Sequence, residues 1–245
     1  MEMNRHQSTV MDRSGARADI DAGLRSYMLK VYNYMALGVA FTGLIVLFMS
    51  TNQELMYTLA VGPAKWVLLI ALLGMGWFSP KIISMRSSAM AQGYYWLYCA
   101  LWGVMISPMV AFYLGKDPML VGRAFFITAG MFAGMSLIGY TTKKDLSGFG
   151  RFAMMACIGL ILASLANVFF FQDVGMSLVI SCGMVLLFAG ITAWETQEIK
   201  NNYFMAGSSE AAGRFAIFGA LQLYGSFVVM FVHLLNILGI MNGDD

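Results

Sequence analysis

The stretch FAMMACIGLILASLANVFFF, residues 152–171, decides the fold class of this chain. It contains no charged residue, and as a helix it has no polar face, so it does not suit the surface of a water-soluble protein. Its length matches the roughly 20 apolar residues that a helix needs to cross the hydrocarbon core of a bilayer. The stretch is therefore predicted to be a transmembrane helix.

Six further runs without Asp, Glu, Lys or Arg divide most of the remaining sequence. They hold 23 residues after Lys30, 15 after Lys65, 29 after Arg86, 19 after Arg123, 21 after Asp173 and 29 after Arg214. Only 11% of all residues are charged and 59% are hydrophobic, whereas soluble domains carry roughly 25% charged residues. The sequence therefore predicts an all-α fold, a polytopic membrane protein with seven transmembrane helices in the lipid bilayer.

The seven spans leave little chain for any other domain. We expect them at residues 27–49, 66–85, 94–114, 119–141, 152–171, 176–198 and 215–240. Residues 1–26 are predicted to form an N-terminal arm with a short interfacial helix, since apolar residues recur at helical spacing between Ile20 and Val31. Residues 27–240 form the transmembrane bundle, and residues 241–245 form a short tail.

The distribution of basic residues predicts the orientation in the membrane. Eleven Lys and Arg side chains flank the spans on the side of the N-terminal arm, whereas only Lys65 and Lys116 flank them on the other side. Cytoplasmic segments carry the excess of Lys and Arg. The N-terminus is therefore predicted to be cytoplasmic and the C-terminus extracytoplasmic.

Composition and motifs exclude several functional classes. The net charge is only +2, and no basic stripe with interleaved aromatic residues is present, so no nucleic-acid partner is expected. The three cysteines lie in apolar runs without metal-binding spacing. No HExxH, GxSxG or P-loop motif occurs, so we expect neither an enzyme nor a bound cofactor.

Ionisable residues inside a span are costly to bury and are candidates for function. Glu195 ends the sixth uncharged run, five residues before Lys200, and Glu198 lies one turn further along nearly the same helical face. Two interpretations are open: an interfacial pair solvated and balanced by Lys200, or a functional acid within the bundle. His233, deep in the seventh span, is expected to be neutral and hydrogen-bonded to a neighbouring helix rather than part of a proton relay.

Small residues in the fourth span suggest a packing face. Gly130 and Gly134 form a GxxxG pattern there, and small residues at this spacing let helix backbones approach closely. The pattern favours packing within the chain over a dimer interface.

Four longer stretches carry a further signal. They are RSYMLKVYNYMALGVA (residues 25–40), IGYTTKKDLSGFGRF (138–152), WETQEIK (194–200) and ALQLYGSFVVMFVHLLNILG (220–239). Together, in this order and with these loop lengths, they resemble the Bax inhibitor-1 family of seven-span membrane proteins, and the first two are similar to bacterial members. The resemblance covers nearly the whole chain and implies a protein of the bacterial inner membrane.

The resemblance implies a bundle in which six helices surround the seventh and, for some members, a pH-sensitive leak of calcium. In those members an acid late in the sixth helix faces an acid in the seventh, and a basic residue near the end of the second helix latches the pair. Two carboxylates at close range in a dry site cannot both ionise cheaply. They therefore bind protons as a unit, and their protonation can bias the bundle between two packings.

Matched residue by residue, the acid of the sixth helix falls on Glu195 and the acid of the seventh falls on Ser226. A hydroxyl can share a hydrogen bond with a carboxylate, but it cannot hold a second negative charge. The basic residue falls on Arg86, and Glu198 is a further oxygen donor for a cation. We therefore predict a pH-sensing or ion site at Glu195, Ser226, Arg86 and Glu198, without assigned metal ligands.

Two functions remain open from the sequence. The first is a pH-sensitive calcium or cation leak channel in which Glu195 titrates. The second is a non-conducting regulator that binds another membrane protein, since the resemblance implies that some bacterial relatives associate with a membrane-bound AAA protease complex. The basic N-terminal arm would be the contact for such a partner.

Overall fold

A computed structural model describes residues 2–206 and 208–243, with side chains described for residues 22–52, 54–59, 62–206 and 208–243. All regular secondary structure in this part of the chain is helical. The helices are α1 (Glu2–Met49), α2 (Gln53–Val61), α3 (Ala64–Phe78) with a 3₁₀ turn (Ser79–Ser84), α4 (Ser88–Lys116), α5 (Pro118–Thr141), α6 (Ser147–Ala166) with a π turn (Asn167–Phe171), α7 (Val174–Met205) and α8 (Ser209–Met241). The predicted all-α fold is confirmed.

Within the described residues, seven helical segments are long and apolar enough to cross a membrane. They are α1 from Ala22 onward, α3 with its 3₁₀ turn, α4, α5, α6 with its π turn, α7 and α8. The predicted number of spans is confirmed, and α2 is an additional short helix between the first two. Asn52 caps α2, because its Oδ1 accepts the Leu55 amide at 3.0 Å.

The last helix, α8, lies at the centre of the bundle. In its apolar stretch 72% of the residues are buried, whereas no other span exceeds 39%. It packs against α1, α4, α5 and α7 and against the 3₁₀ turn after α3. The helix α6 is peripheral, since it packs mainly on α7 and only 6% of the residues in its apolar stretch are buried. The expectation of a central seventh span is confirmed, but α6 packs mainly on α7, so the expected ring of six helices around α8 is not complete.

The helix α1 continues without a break from the predicted arm into the first span. Leu24, Met28 and Val31 are buried in the core of the bundle. Their helical spacing therefore reflects packing against other helices. The interfacial helix was predicted from these three residues together with Ile20, and burial in the bundle is not the interfacial position expected of the three. Ile20 lies outside the described side chains, as do residues 244 and 245 of the tail.

Two helices extend further than the uncharged runs indicated. The helix α7 continues to Met205 and α8 begins at Ser209, whereas the predicted ends were residues 198 and 215. A count of uncharged residues finds the part of a helix that suits hydrocarbon, and polar turns can continue the helix beyond it. The end of α7 and the beginning of α8 lie on the face of the bundle where the first span begins. We call this face the N-terminal face.

One glycine of α5 determines how closely this helix approaches α7. A Cβ atom added at Gly139 would overlap the backbone carbonyl of Ala193. Gly130 and Gly134 are exposed, and added Cβ atoms there would meet nothing within 4 Å. The expectation that the GxxxG pattern packs against another helix of the chain is therefore wrong, and Gly139 is the close-approach position instead.

We expect Gly139→Ala to destabilise the bundle and Gly134→Ala, on the same helix, to leave it unchanged. The added methyl at residue 139 must push α5 away from the rigid backbone of α7, and overpacking of this kind costs roughly 1–3 kcal/mol. Denaturant titration of both variants in detergent micelles would measure the difference. Equal stability of the two variants would contradict the close approach of α5 and α7.

Candidate functional site

Glu195 lies in the interior of the bundle, on α7, ten residues before Met205. Its side chain is buried, with 7% of the residue exposed. Its Oε2 accepts a hydrogen bond of 2.7 Å from Ser226 Oγ on α8, and Ser226 is buried as well. The structure thus brings together the two positions that the resemblance pairs.

Helical spacing adds a second residue from each helix. Glu195 and Glu198 are three residues apart on α7, and Gln222 and Ser226 are four apart on α8, so each pair shares one helical face. The two carboxyls interact electrostatically, and the Gln222 side chain interacts with the Glu198 carboxyl. We call these four residues the Glu195 cluster.

The Glu195 cluster has more hydrogen-bond acceptors than donors. Glu198 Oε2 and Gln222 Oε1 are buried without a hydrogen-bond partner among the described residues. The Ser226 hydroxyl is a single donor, and one such bond does not offset the cost of burying a full negative charge on Glu195. A proton or a cation would balance the cluster.

Tyr98 of α4 lies beside the cluster and packs against two other aromatic rings. The Tyr98 hydroxyl interacts electrostatically with Glu195, and the Tyr98 ring lies 6.0 Å from the Tyr224 ring and 6.4 Å from the Trp102 ring, centroid to centroid. Sequence reasoning missed Tyr98 and Gln222, since no motif signals which faces of distant helices meet.

Arg86 does not belong to the Glu195 cluster. It is exposed in the connection before α4, and among the described residues no hydrogen bond or ion pair links it to Glu195. A different basic residue joins the end of the second span to α8. Arg214 donates from Nε to the Ile83 carbonyl at 3.0 Å and pairs with Glu210 at 2.9 Å.

Lys200 does not balance Glu195 either. Its Nζ donates to the Tyr140 carbonyl at 3.0 Å and lies 5.1 Å from the centroid of the Tyr140 ring. Of the two interpretations open from the sequence, solvation at the interface therefore does not describe Glu195. Glu198 is half-buried, which places it between the interior and the N-terminal face.

A second group of polar side chains lies between α7 and α8 toward the opposite face of the bundle. His233 Nδ1 is hydrogen-bonded to Ser181 Oγ at 3.1 Å, as expected for a histidine that contacts a neighbouring helix. Asn236 donates from Nδ2 to Ser177 Oγ at 3.1 Å and to Ser181 Oγ at 2.9 Å. These bonds join the two helices, as polar side chains commonly do inside membranes. No three His, Cys, Asp or Glu side chains of the described residues form a group that could hold a metal ion.

The chain is similar to known proteins along nearly its whole length. A family model described as "Inhibitor of apoptosis-promoting Bax1" matches residues 24–243. The Escherichia coli K12 protein named "Inner membrane protein YbhL" is 35% identical over 93% of this chain and 97% of its own length. A Rickettsia prowazekii protein is 35% identical over 89% of this chain and 91% of its own length, and a Caulobacter vibrioides protein is 34% identical over 97% and 98%. The similarity reaches from the first span through the last.

We expect Ser226→Ala to destabilise the bundle, because it removes the hydroxyl that donates to Glu195 and leaves a buried carboxyl without that partner. An unsatisfied buried polar group costs roughly 1–3 kcal/mol. Ser107→Ala is the matched control, since Ser107 is also fully buried but donates only to the Gly103 carbonyl of its own helix. Unfolding in detergent micelles would compare them, and equal losses would argue against a special role of the Ser226 bond.

Proposed function

The chain belongs to the Bax inhibitor-1 family, and from this premise we propose that it is a cation leak pathway of the inner membrane whose flux depends on the protonation of Glu195. One observation carries the proposal: a buried acid is held by a single hydroxyl beside a second acid with an unpartnered oxygen. The name of the E. coli relative supports the membrane assigned.

The chemistry of the Glu195 cluster fits a calcium ion as the permeant species. Its four residues offer carboxylate, amide and hydroxyl oxygens, and oxygen is the ligand atom that Ca²⁺ takes from proteins. Glu198, from the same helix as Glu195, supplies the second negative charge that Ser226 cannot supply. In this proposal Glu198, one turn along α7 from Glu195, takes the role of the acid that α8 lacks.

Protonation would control the cluster through charge. With a proton on Glu195, the carboxyl and the Ser226 hydroxyl form a neutral hydrogen-bonded pair that holds α7 against α8. Without it, the Glu195 and Glu198 carboxylates repel each other until a cation neutralises them. The charged and polar groups that face Glu195 are Glu198 on its own helix, Ser226 on α8 and Tyr98 on α4.

Large apolar side chains of α8 lie between the cluster and the opposite face of the bundle. Phe227, Met230 and Phe231 are buried there. The Phe227 ring packs against Phe125 and Phe132 of α5, with both centroid distances at 5.8 Å. An ion that leaves the Glu195 cluster toward the opposite face therefore requires a shift of α8 relative to α5.

The alternative role, a non-conducting regulator of a membrane-bound protease complex, stays a prediction. Its expected contact is the N-terminal arm, and the arm falls mostly on residues before Ala22, whose side chains are outside the described ones. No contact among the described residues favours it.

Glu195→Gln is expected to reduce calcium flux toward that of empty liposomes and to remove its dependence on pH. The amide keeps a hydrogen bond to Ser226 but can neither ionise nor attract a cation. In the wild type we expect flux to rise as pH rises, because deprotonation creates the negative charge that attracts the ion. Calcium uptake by reconstituted liposomes, measured across pH, tests both statements.

Glu54→Gln serves as the control for this flux measurement, since Glu54 is exposed on α2 and far along the chain from the cluster. It should conduct like the wild type at every pH. Wild-type flux no higher than that of empty liposomes would contradict the proposed leak pathway. Flux in Glu195→Gln equal to that of the wild type would contradict it too.

Ser226→Asp would restore a second acid on α8. Two carboxyls at hydrogen-bond distance cannot both ionise cheaply, so they should share a proton and titrate in coupled steps. We expect the pH dependence of calcium flux to become broader than in the wild type or to acquire a second step. An unchanged pH profile in folded Ser226→Asp would mean that α8 does not face the titrating group.

A further inference from the structure

An apolar groove with a basic mouth lies between α1 and α5. Its volume is about 580 Å³, within the range of roughly 300–1,000 Å³ that is typical of ligand pockets. Met28 and Leu29 of α1 and Phe132 of α5 line it. Leu29 and Leu137 on its sides are 53% and 63% exposed, so the groove opens outward to the surrounding bilayer.

The groove exists because its two walls are supported by other helices. The helix α1 packs mainly on α4 and α8, and α5 packs mainly on α7 and α8. Ala133 lines the groove with a small side chain and leaves space between the walls. The floor is polar and fixed, since Tyr32 Oη is hydrogen-bonded to Ser136 Oγ and Ser136 Oγ to Thr196 Oγ1 at 3.0 Å.

The mouth of the groove is basic and lies at the N-terminal face. Arg25, four residues before Leu29 on α1, is exposed and lines it. Tyr140 lines the same end, and the Lys200 ammonium lies over its ring. No acidic side chain of the described residues lines the groove. The groove therefore has positive charge at the membrane surface and apolar walls below it. This arrangement suits a molecule with an anionic head and a hydrocarbon tail.

We propose that the groove between α1 and α5 binds one anionic phospholipid of the leaflet at the N-terminal face. The phosphate lies at Arg25, whose guanidinium can donate two parallel hydrogen bonds to phosphate oxygens. One acyl chain lies along Leu29 and Phe132. Basic pockets between transmembrane helices bind anionic headgroups in this manner. The bilayer around the protein is the source of the ligand, and ion flux is not required for binding.

The test uses the full-length protein purified in detergent, incubated with an equimolar mixture of phosphatidylglycerol and phosphatidylcholine with identical acyl chains. Native mass spectrometry counts each lipid that remains bound. We expect one phosphatidylglycerol per chain in excess over phosphatidylcholine. Arg25→Gln should lower this preference by about fivefold, the effect of one basic residue near an anionic headgroup.

Three further variants separate charge from shape. Arg25→Lys keeps the charge and should keep most of the preference, and Lys30→Gln should keep all of it, because Lys30 is on α1 but does not line the groove. Ala133→Trp should reduce the binding of both lipids by filling the groove. Thermal unfolding of each variant confirms that the bundle is folded, and Arg25 is an exposed residue whose substitution does not touch the core.

Equal retention of the two lipids by the wild type would overturn the proposal, because the groove would then hold ordinary bilayer lipid without regard to charge. An unchanged preference in Arg25→Gln, or an equal loss in Lys30→Gln, would overturn it too. Occupation of the groove by a second copy of the chain would also overturn the proposal. It would be seen as a dimer without bound lipid that Ala133→Trp dissociates.

Discussion

The enclosure of α8 is the constraint on which the rest of the structure depends. A helix in a bilayer satisfies its backbone groups internally, but polar side chains that point away from water need partners from other helices. Most of α8 is buried, so its polar side chains bond across the bundle. Ser226 donates to Glu195, His233 bonds to Ser181, and the Tyr224 hydroxyl bonds to Thr42 at 2.6 Å. These few hydrogen bonds fix the orientation of the largely apolar helix α8 about its own axis.

The polar contacts between α7 and α8 form two zones with different chemistry. Toward the opposite face, Asn236 uses both amide hydrogens and the serines accept them, so donors and acceptors are matched there. The Glu195 cluster has unpartnered oxygens and a single identified donor to its central acid. A balanced zone mainly joins two helices, whereas an unbalanced zone responds to any proton or cation that reaches it. This asymmetry is why the two acids of α7, and not His233, carry the proposed function.

Much of the outer surface of the bundle is apolar and faces lipid, and its shape differs between helices. The helix α6 has almost no fully buried residues, whereas α1 and α5 leave a groove whose polar floor reaches Thr196, the residue next to Glu195. A hydrogen-bonded row from Tyr32 through Ser136 to Thr196 thus connects the lipid-facing side of the protein with the helix that bears the buried acids. Small residues such as Gly139 keep α5 close to α7 along this row.

The sequence by itself determined the class of the protein and the number of its spans, because the hydrocarbon core selects long uncharged segments whatever they pack against. It also identified Glu195 as an unusual acid and, through resemblance, Ser226 as its counterpart. The ends of α7 and α8 and the short helix α2 could not be read in this way, since polar turns outside hydrocarbon follow capping and local contacts. Only the tertiary structure decided that Arg86 stands apart, that Arg214 joins the second span to α8, that Gly139 rather than Gly134 is the packing glycine, and that Gln222 and Tyr98 face the acids. Those facts depend on the rotation of each helix about its axis, which is set by side chains distant in sequence meeting across the bundle.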